Sequence, residues 1–126
     1  MAYIFYNPNP ANRVAGDCTI RAISKITRDS WDDTYLDIAL KGFIVKDMMS
    51  ANYTWERYLH DIGFEKTLLP QCPYCYTVRD FCYDHPYGEY ILGTGSHVVA
   101  VIDGNYYDAW DSGNEIPLYY WKRKET

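Results

Sequence analysis

Basic charge is scarce in this sequence: 12 lysines and arginines stand against 17 aspartates and glutamates, for a formal net charge of −5. A chain of that sign lacks the cationic surface that phosphate backbones require, so nucleic-acid binding is excluded as its main function. Long apolar runs are missing too, and nothing approaches the roughly 20 consecutive apolar residues of a membrane-spanning helix. The opening residues, Met1-Ala2-Tyr3-Ile4-Phe5-Tyr6, carry neither a basic stretch nor a sustained apolar one, so no signal peptide is expected. A cytoplasmic location with reduced thiols follows as the expectation. Cys18, Cys72, Cys75 and Cys82 then need roles other than disulfides. Internal repeats, low-complexity tracts and linkers are also lacking.

What remains is a globular profile. Apolar residues make up 48% and charged residues 23% of 126 residues, enough for one domain with a real core, spanning 1–126. Fourteen tyrosines, against four phenylalanines and four tryptophans, can be half buried with a wet hydroxyl tip.

The first half reads as helical. Tyr3 to Tyr6 suits a short strand, and the prolines of Asn7-Pro8-Asn9-Pro10 then exclude a helix. Asp17 is a candidate N-cap, its carboxylate accepting from the first free N–H groups of a helix that runs to about Thr27. Ser30 caps a second helix, with Asp33 in the box position, Trp31, Tyr35, Ile38 and Ala39 on one face, and Gly42 at its end. A third spans Thr54 to Ile62, and a fourth starts at Thr77 with Asp80 in the box position. The period then changes. Glu89–Leu92, His97–Asp103, Tyr106–Trp110 and Ile116–Trp121 are β-branched or aromatic runs, and Asp103-Gly104 is a two-residue hairpin signal. Helices first and an antiparallel sheet second make the fold class α+β.

Cys18 falls in the first turn of the first helix, where the positive end of the helix dipole favours thiolate over thiol. His97 opens a central strand just after Gly93-Thr94-Gly95-Ser96. With Asp103 and Gly104 as the turn, Ile102 pairs with Asn105, His97 falls opposite Trp110, and Asp108 becomes its diagonal neighbour. A three-residue loop would instead place Asp111 across from His97. Alone, Cys18 reads as a small buried residue and His97 as a strand-end histidine held by a backbone carbonyl. Together with an acid one hairpin later, they supply a nucleophile, a base and an orienting group.

On these residues the chain resembles the papain-like cysteine peptidases, in particular small bacterial and phage papain-like proteins and the bacteriocin-processing double-glycine peptidases. The order Cys18, His97, Asp108 matches that superfamily, and Asp17-Cys18 is similar to the Asp-Cys pair of the double-glycine group. Asn12 stands six residues before the cysteine, where the family carries an oxyanion glutamine. Asp108-Ala109-Trp110 is similar to the family's third catalytic residue followed by Ser-Trp, and this favours Asp108 over Asp111. The resemblance implies a papain-like fold, N-terminal helices on a small antiparallel sheet. It also implies acyl transfer through a Cys18–His97–Asp108 triad, with Asn12 at the oxyanion, a peptide or protein substrate, and no cofactor or metal. The chain departs from the family in its shorter Asn12 and its short hairpin. A papain-like binding or inhibitor protein without catalysis is the alternative, as is an acyltransferase of the transglutaminase or deamidase type.

Cys72-Pro73-Tyr74-Cys75, followed by Cys82 and His85, offers ligand types that zinc accepts. The competing reading places Cys82 on a core stripe with Val78 and Phe81, leaving the other two as reduced loop cysteines. A zinc-stapled interaction module would follow from the first reading. His60 suits a helix C-terminus, Trp31, Trp55 and Trp121 suit core or sheet-face anchors, and Lys122-Arg123-Lys124 suits a solvated tail.

Overall fold

The computed structural model describes residues 2–70 and 76–125. Its elements are β1 (Ala2–Phe5), α1 (Cys18–Thr27), α2 (Trp31–Val45), α3 (Asn52–Asp61), β2 (Phe64–Leu68), α4 (Val78–Asp84), β3 (Glu89–Gly93), β4 (Val98–Ile102), β5 (Asn105–Asp108) and β6 (Tyr119–Arg123). The strands form one sheet in the order β1-β5-β4-β3-β6-β2. The class is α+β.

The sheet is mixed and not wholly antiparallel as expected, because β1 runs parallel to β5 with Ala2 against Asn105 and Phe5 against Asp108. No short turn joins β1 to its partner, so nothing local imposes an antiparallel direction on it. The sequence also concealed β2. Of its five residues only Phe64 is buried, so the strand has no apolar alternation to read, and it pairs along β6 at the sheet edge.

Alternation along β4 divides the core. Val98 and Ala100 meet Ile20, Ile23 and Ile26 of α1, Ile38 of α2, and Trp55 and Leu59 of α3. Val99 and Val101 meet Val78, Phe81 and Cys82 of α4 on the other face. Three helices therefore cover one side of the sheet and α4 the other. The caps follow the residue chemistry. Ser30 accepts from Asp33 N–H at 3.0 Å, and Thr77 and Asp80 form a reciprocal capping box. Helix α2 continues past the expected stop at Gly42 and ends at Lys46, which takes the left-handed conformation (φ 62°). Gly42 serves close packing instead: a Cβ there would lie 2.9 Å from the Asp47 carbonyl oxygen.

The hairpin between β4 and β5 turns at Asp103 (φ 49°) and Gly104 (φ 77°), and it pairs Ile102 with Asn105 as the Asp-Gly signal requires. Two hydrogen bonds brace the turn, Asp103 N–H to the Gly88 carbonyl at 2.8 Å and Gly88 N–H to the Asp103 carboxylate at 2.9 Å. This register leaves His97 just before β4 and Asp108 at the end of β5, side by side at one end of the sheet. Among the described residues no helix is long and apolar enough to cross a membrane.

Candidate active site

Three chain segments meet at that end of the sheet. Helix α1 brings Cys18, its first residue, the loop into β4 brings His97, and β5 ends on Asp108. His97 Nε2 lies 2.6 Å from Asp108 Oδ2, with the two side chains 10% and 0% exposed. Asp111, the other candidate partner, faces Arg79 and the Tyr106 hydroxyl. The two-residue turn decides between the acids, since it sets which one reaches the imidazole. Trp110 packs against the histidine, with ring centroids 4.8 Å apart.

Asp108 is held on every side. Its Oδ2 also accepts from the Ser112 hydroxyl, and its Oδ1 accepts from Arg21 Nη2 at 2.9 Å and from the Ala109 N–H at 2.8 Å. Its own carbonyl accepts from Tyr6 N–H at 2.8 Å and from the Tyr3 hydroxyl at 3.1 Å, so β1 fixes its main chain. Burial alone would raise the carboxyl pKa, but the hydrogen bonds from His97 and Ser112 and the nearby cations bring it below the usual value. Asp108 is a carboxylate.

Arg21 was not singled out from the sequence. It sits one helical turn after Cys18, 5% exposed, and its second arm bonds Asp17 Oδ1 at 2.7 Å. Trp31 Nε1 donates to Asp17 Oδ2 at 2.8 Å. Asp17 stands at the N-cap of α1 as expected, but its carboxylate is engaged by side chains and caps no backbone N–H of the helix. Cys18 and Thr19 are the first two residues of α1, whose backbone N–H groups have no acceptor within the helix. An arginine three residues after the cysteine, with an acid four residues before the arginine, was the available signal. The pairing of Arg21 with Asp108, 87 residues on, was not legible.

The thiol and the imidazole shift each other. Burial disfavours the Cys18 thiolate, but hydrogen bonding and charge from His97, the Val98 N–H and the Arg21 cation outweigh it and place the thiol pKa below its ordinary value. Burial also disfavours the imidazolium, yet Asp108 and Cys18 raise His97 to about 9. With Nε2 on Asp108, Nδ1 is the nitrogen left for the sulfur. A lowered thiol beside a raised imidazole favours the proton on His97 and a thiolate on Cys18.

Two clefts meet at this pair. One of about 140 Å³ is lined by Asn52, Trp55, Thr94 and Tyr119, and the other, of about 320 Å³, by Val14, Arg21, Ala109 and Trp110. Gly16, Cys18, Ser96 and His97 border both. Asn12 borders neither: it is exposed on a turn in the left-handed conformation (φ 56°), its N–H bonded to the Asn9 carbonyl. The structure therefore does not bring Asn12 to Cys18. Asn52 is there instead. Its Oδ1 accepts from Trp55 Nε1 at 3.0 Å, and its Nδ2 has no hydrogen-bond acceptor among the described residues.

The zinc reading divides. Cys72 and Cys75 lie outside the described residues. Cys82 is 1% exposed in the core, and burial pushes its thiol up to about 11. His85 stacks on Phe81 with centroids 3.8 Å apart, its Nδ1 2.9 Å from the Phe81 carbonyl. Among the described residues no group of three histidine, cysteine or acidic side chains could hold a metal. Compared with family models, with curated proteins and with solved structures, the chain matches none.

Proposed function

We propose that the protein is a thiol hydrolase of papain-like type, acting on acyl groups of a peptide or protein through Cys18, His97 and Asp108. The observation that carries this reading is a helix-start thiol with a lowered pKa facing an imidazole that a saturated, buried carboxylate holds at 2.6 Å. A merely structural cysteine would have no use for such an arrangement.

The Cys18 thiolate attacks the carbonyl carbon, forming a C–S bond as the carbonyl π electrons move onto oxygen. That oxyanion is received by the Cys18 N–H and the Asn52 amide at the positive end of α1. A preorganised donor of this kind contributes roughly 3–4 kcal/mol. Collapse of the tetrahedral species breaks the bond to the leaving group, which takes the His97 proton as it departs. The neutral imidazole then removes a proton from water, whose oxygen attacks the thioester. A second collapse expels the thiolate and restores the ion pair. Asp108 keeps the imidazole oriented throughout and stabilises its cation. An amine in place of water would give acyl transfer.

The test is a pre-steady-state assay with p-nitrophenyl acetate. A burst of p-nitrophenol equal to the enzyme concentration is expected, together with an acetyl adduct at Cys18 by intact mass. Cys18→Ala and His97→Ala should abolish both. Asn52→Asp, which keeps the acceptor for Trp55 and removes the donor, should slow acylation on the order of 100-fold, while Asn12→Gly leaves it unchanged. No burst and no adduct from the folded wild type would refute the reading.

A further inference from the structure

A cavity larger than either cleft at the cysteine lies beside the reacting pair and not on it. It encloses about 560 Å³ between the loop ahead of Cys18, the first turns of α1 and α2, and Met49-Ser50. Gly16, Thr19 and Ser50 line both this cavity and the smaller cleft at Cys18, so the two adjoin. Its apolar walls come from Ile20, Trp31, Tyr35 and Met49, with the Trp31 and Tyr35 rings stacked at 5.1 Å. Asp17 offers no charge to it, because Arg21 and Trp31 engage its carboxylate. Asp32 and Arg13 bring one charge of each sign, so the cavity favours neither an anionic nor a cationic occupant.

Position then decides which part of a substrate reaches it. No residue of the 94–98 loop or of 108–110 lines this cavity, although both clefts at the cysteine include His97. The leaving group must depart where the imidazolium can protonate it. The acyl portion, which stays on sulfur, therefore extends away from His97 and toward Ile20, Trp31 and Tyr35. Resting on the reading of Cys18 as the nucleophile, we infer that this cavity is the acyl-side recognition site, selecting polypeptides with an aromatic or long aliphatic side chain within three residues before the attacked carbonyl. Its volume suits one or two bulky side chains, since ligand sites of this kind span roughly 300–1,000 Å³.

Tripeptidyl chloromethyl ketones provide the probes: triglycine, and three variants carrying phenylalanine at each position in turn. The readout is the second-order rate of Cys18 alkylation, normalised to iodoacetamide, which is too small to need the cavity. At least one phenylalanine probe should react about tenfold faster than triglycine. Tyr35→Glu and Met49→Glu, both at partly exposed positions, should bring that ratio close to one without changing the iodoacetamide rate. Equal rates for all four probes, or a preference untouched by both substitutions, would overturn the inference. A Cys18 that reacts with iodoacetamide at the rate of an unfolded-chain thiol would instead remove the nucleophile reading, and this inference with it.

Discussion

Asp108 presents four acceptor positions, and His97, Ser112, Arg21 and the Ala109 N–H take all four. A carboxylate so held cannot swing, and neither can the imidazole bonded to it. Arg21 carries the same constraint into α1, since its other arm holds Asp17, next to the nucleophile. The arginine neutralises two carboxylates that are 6% and 0% exposed. Removing it leaves both buried without their guanidinium, the circumstance in which breaking a buried pair costs most. Arg21→Met should therefore destabilise the protein by about 3–5 kcal/mol in urea unfolding. Asp17→Asn in the same chain should recover part of the loss, because the amide still accepts from Trp31 without its charge. A loss within 0.5 kcal/mol, roughly that of an ordinary surface substitution, would show that the bridge contributes little.

At the scale of the elements, legibility followed periodicity and local chemistry. The Ser30 and Thr77 caps and the Asp103-Gly104 turn depend on residues close in sequence, and the structure has them. β2 was hidden because an edge strand with four exposed residues has no face to mark. The parallel run of β1 was hidden because its partner lies about a hundred residues on. The site divided in the same way. Cys18, His97 and Asp108 were readable through one turn, whereas Asn12 was chosen by its offset, and Asn52 reaches the cleft only through the packing of α3. That turn therefore has large leverage. Gly104 sits at φ 77°, and a Cβ there would stand 3.2 Å from the Cys82 carbonyl oxygen. Gly104→Ala should cost about 1–3 kcal/mol in a thermal melt and loosen the His97–Asp108 pair. An unchanged midpoint would mean that the hairpin register is set elsewhere.

In the whole molecule, the reacting pair exists only because two layers dock. The thiol belongs to a helix and the imidazole to the sheet. Ile20, Ile23 and Ile26 pack on Val98, Ala100 and Ile91 to bring them together. Unfolding separates the two groups, and each returns to its ordinary titration. Folded, the thiol is lowered and His97 is raised to about 9, so folding extends the thiolate–imidazolium pair below the ordinary thiol range and up to about 9. At lower pH the thiolate takes up a proton and reactivity falls. Above about 9 the imidazolium is lost, and with it the proton a leaving group needs. Of the two described thiols, Cys18 should be the one whose reactivity folding raises, since Cys82 is buried and its pKa is raised. The most direct measurement is the rate of iodoacetamide alkylation at Cys18, located by peptide mass, from pH 4 to 10 in buffer and in denaturing urea. The account predicts that at pH 6 the folded protein reacts faster than the unfolded chain, even allowing for the weaker nucleophilicity of a low-pKa thiolate. It also predicts that His97→Ala abolishes this advantage. Equal rates at pH 6 for folded and unfolded protein would contradict it.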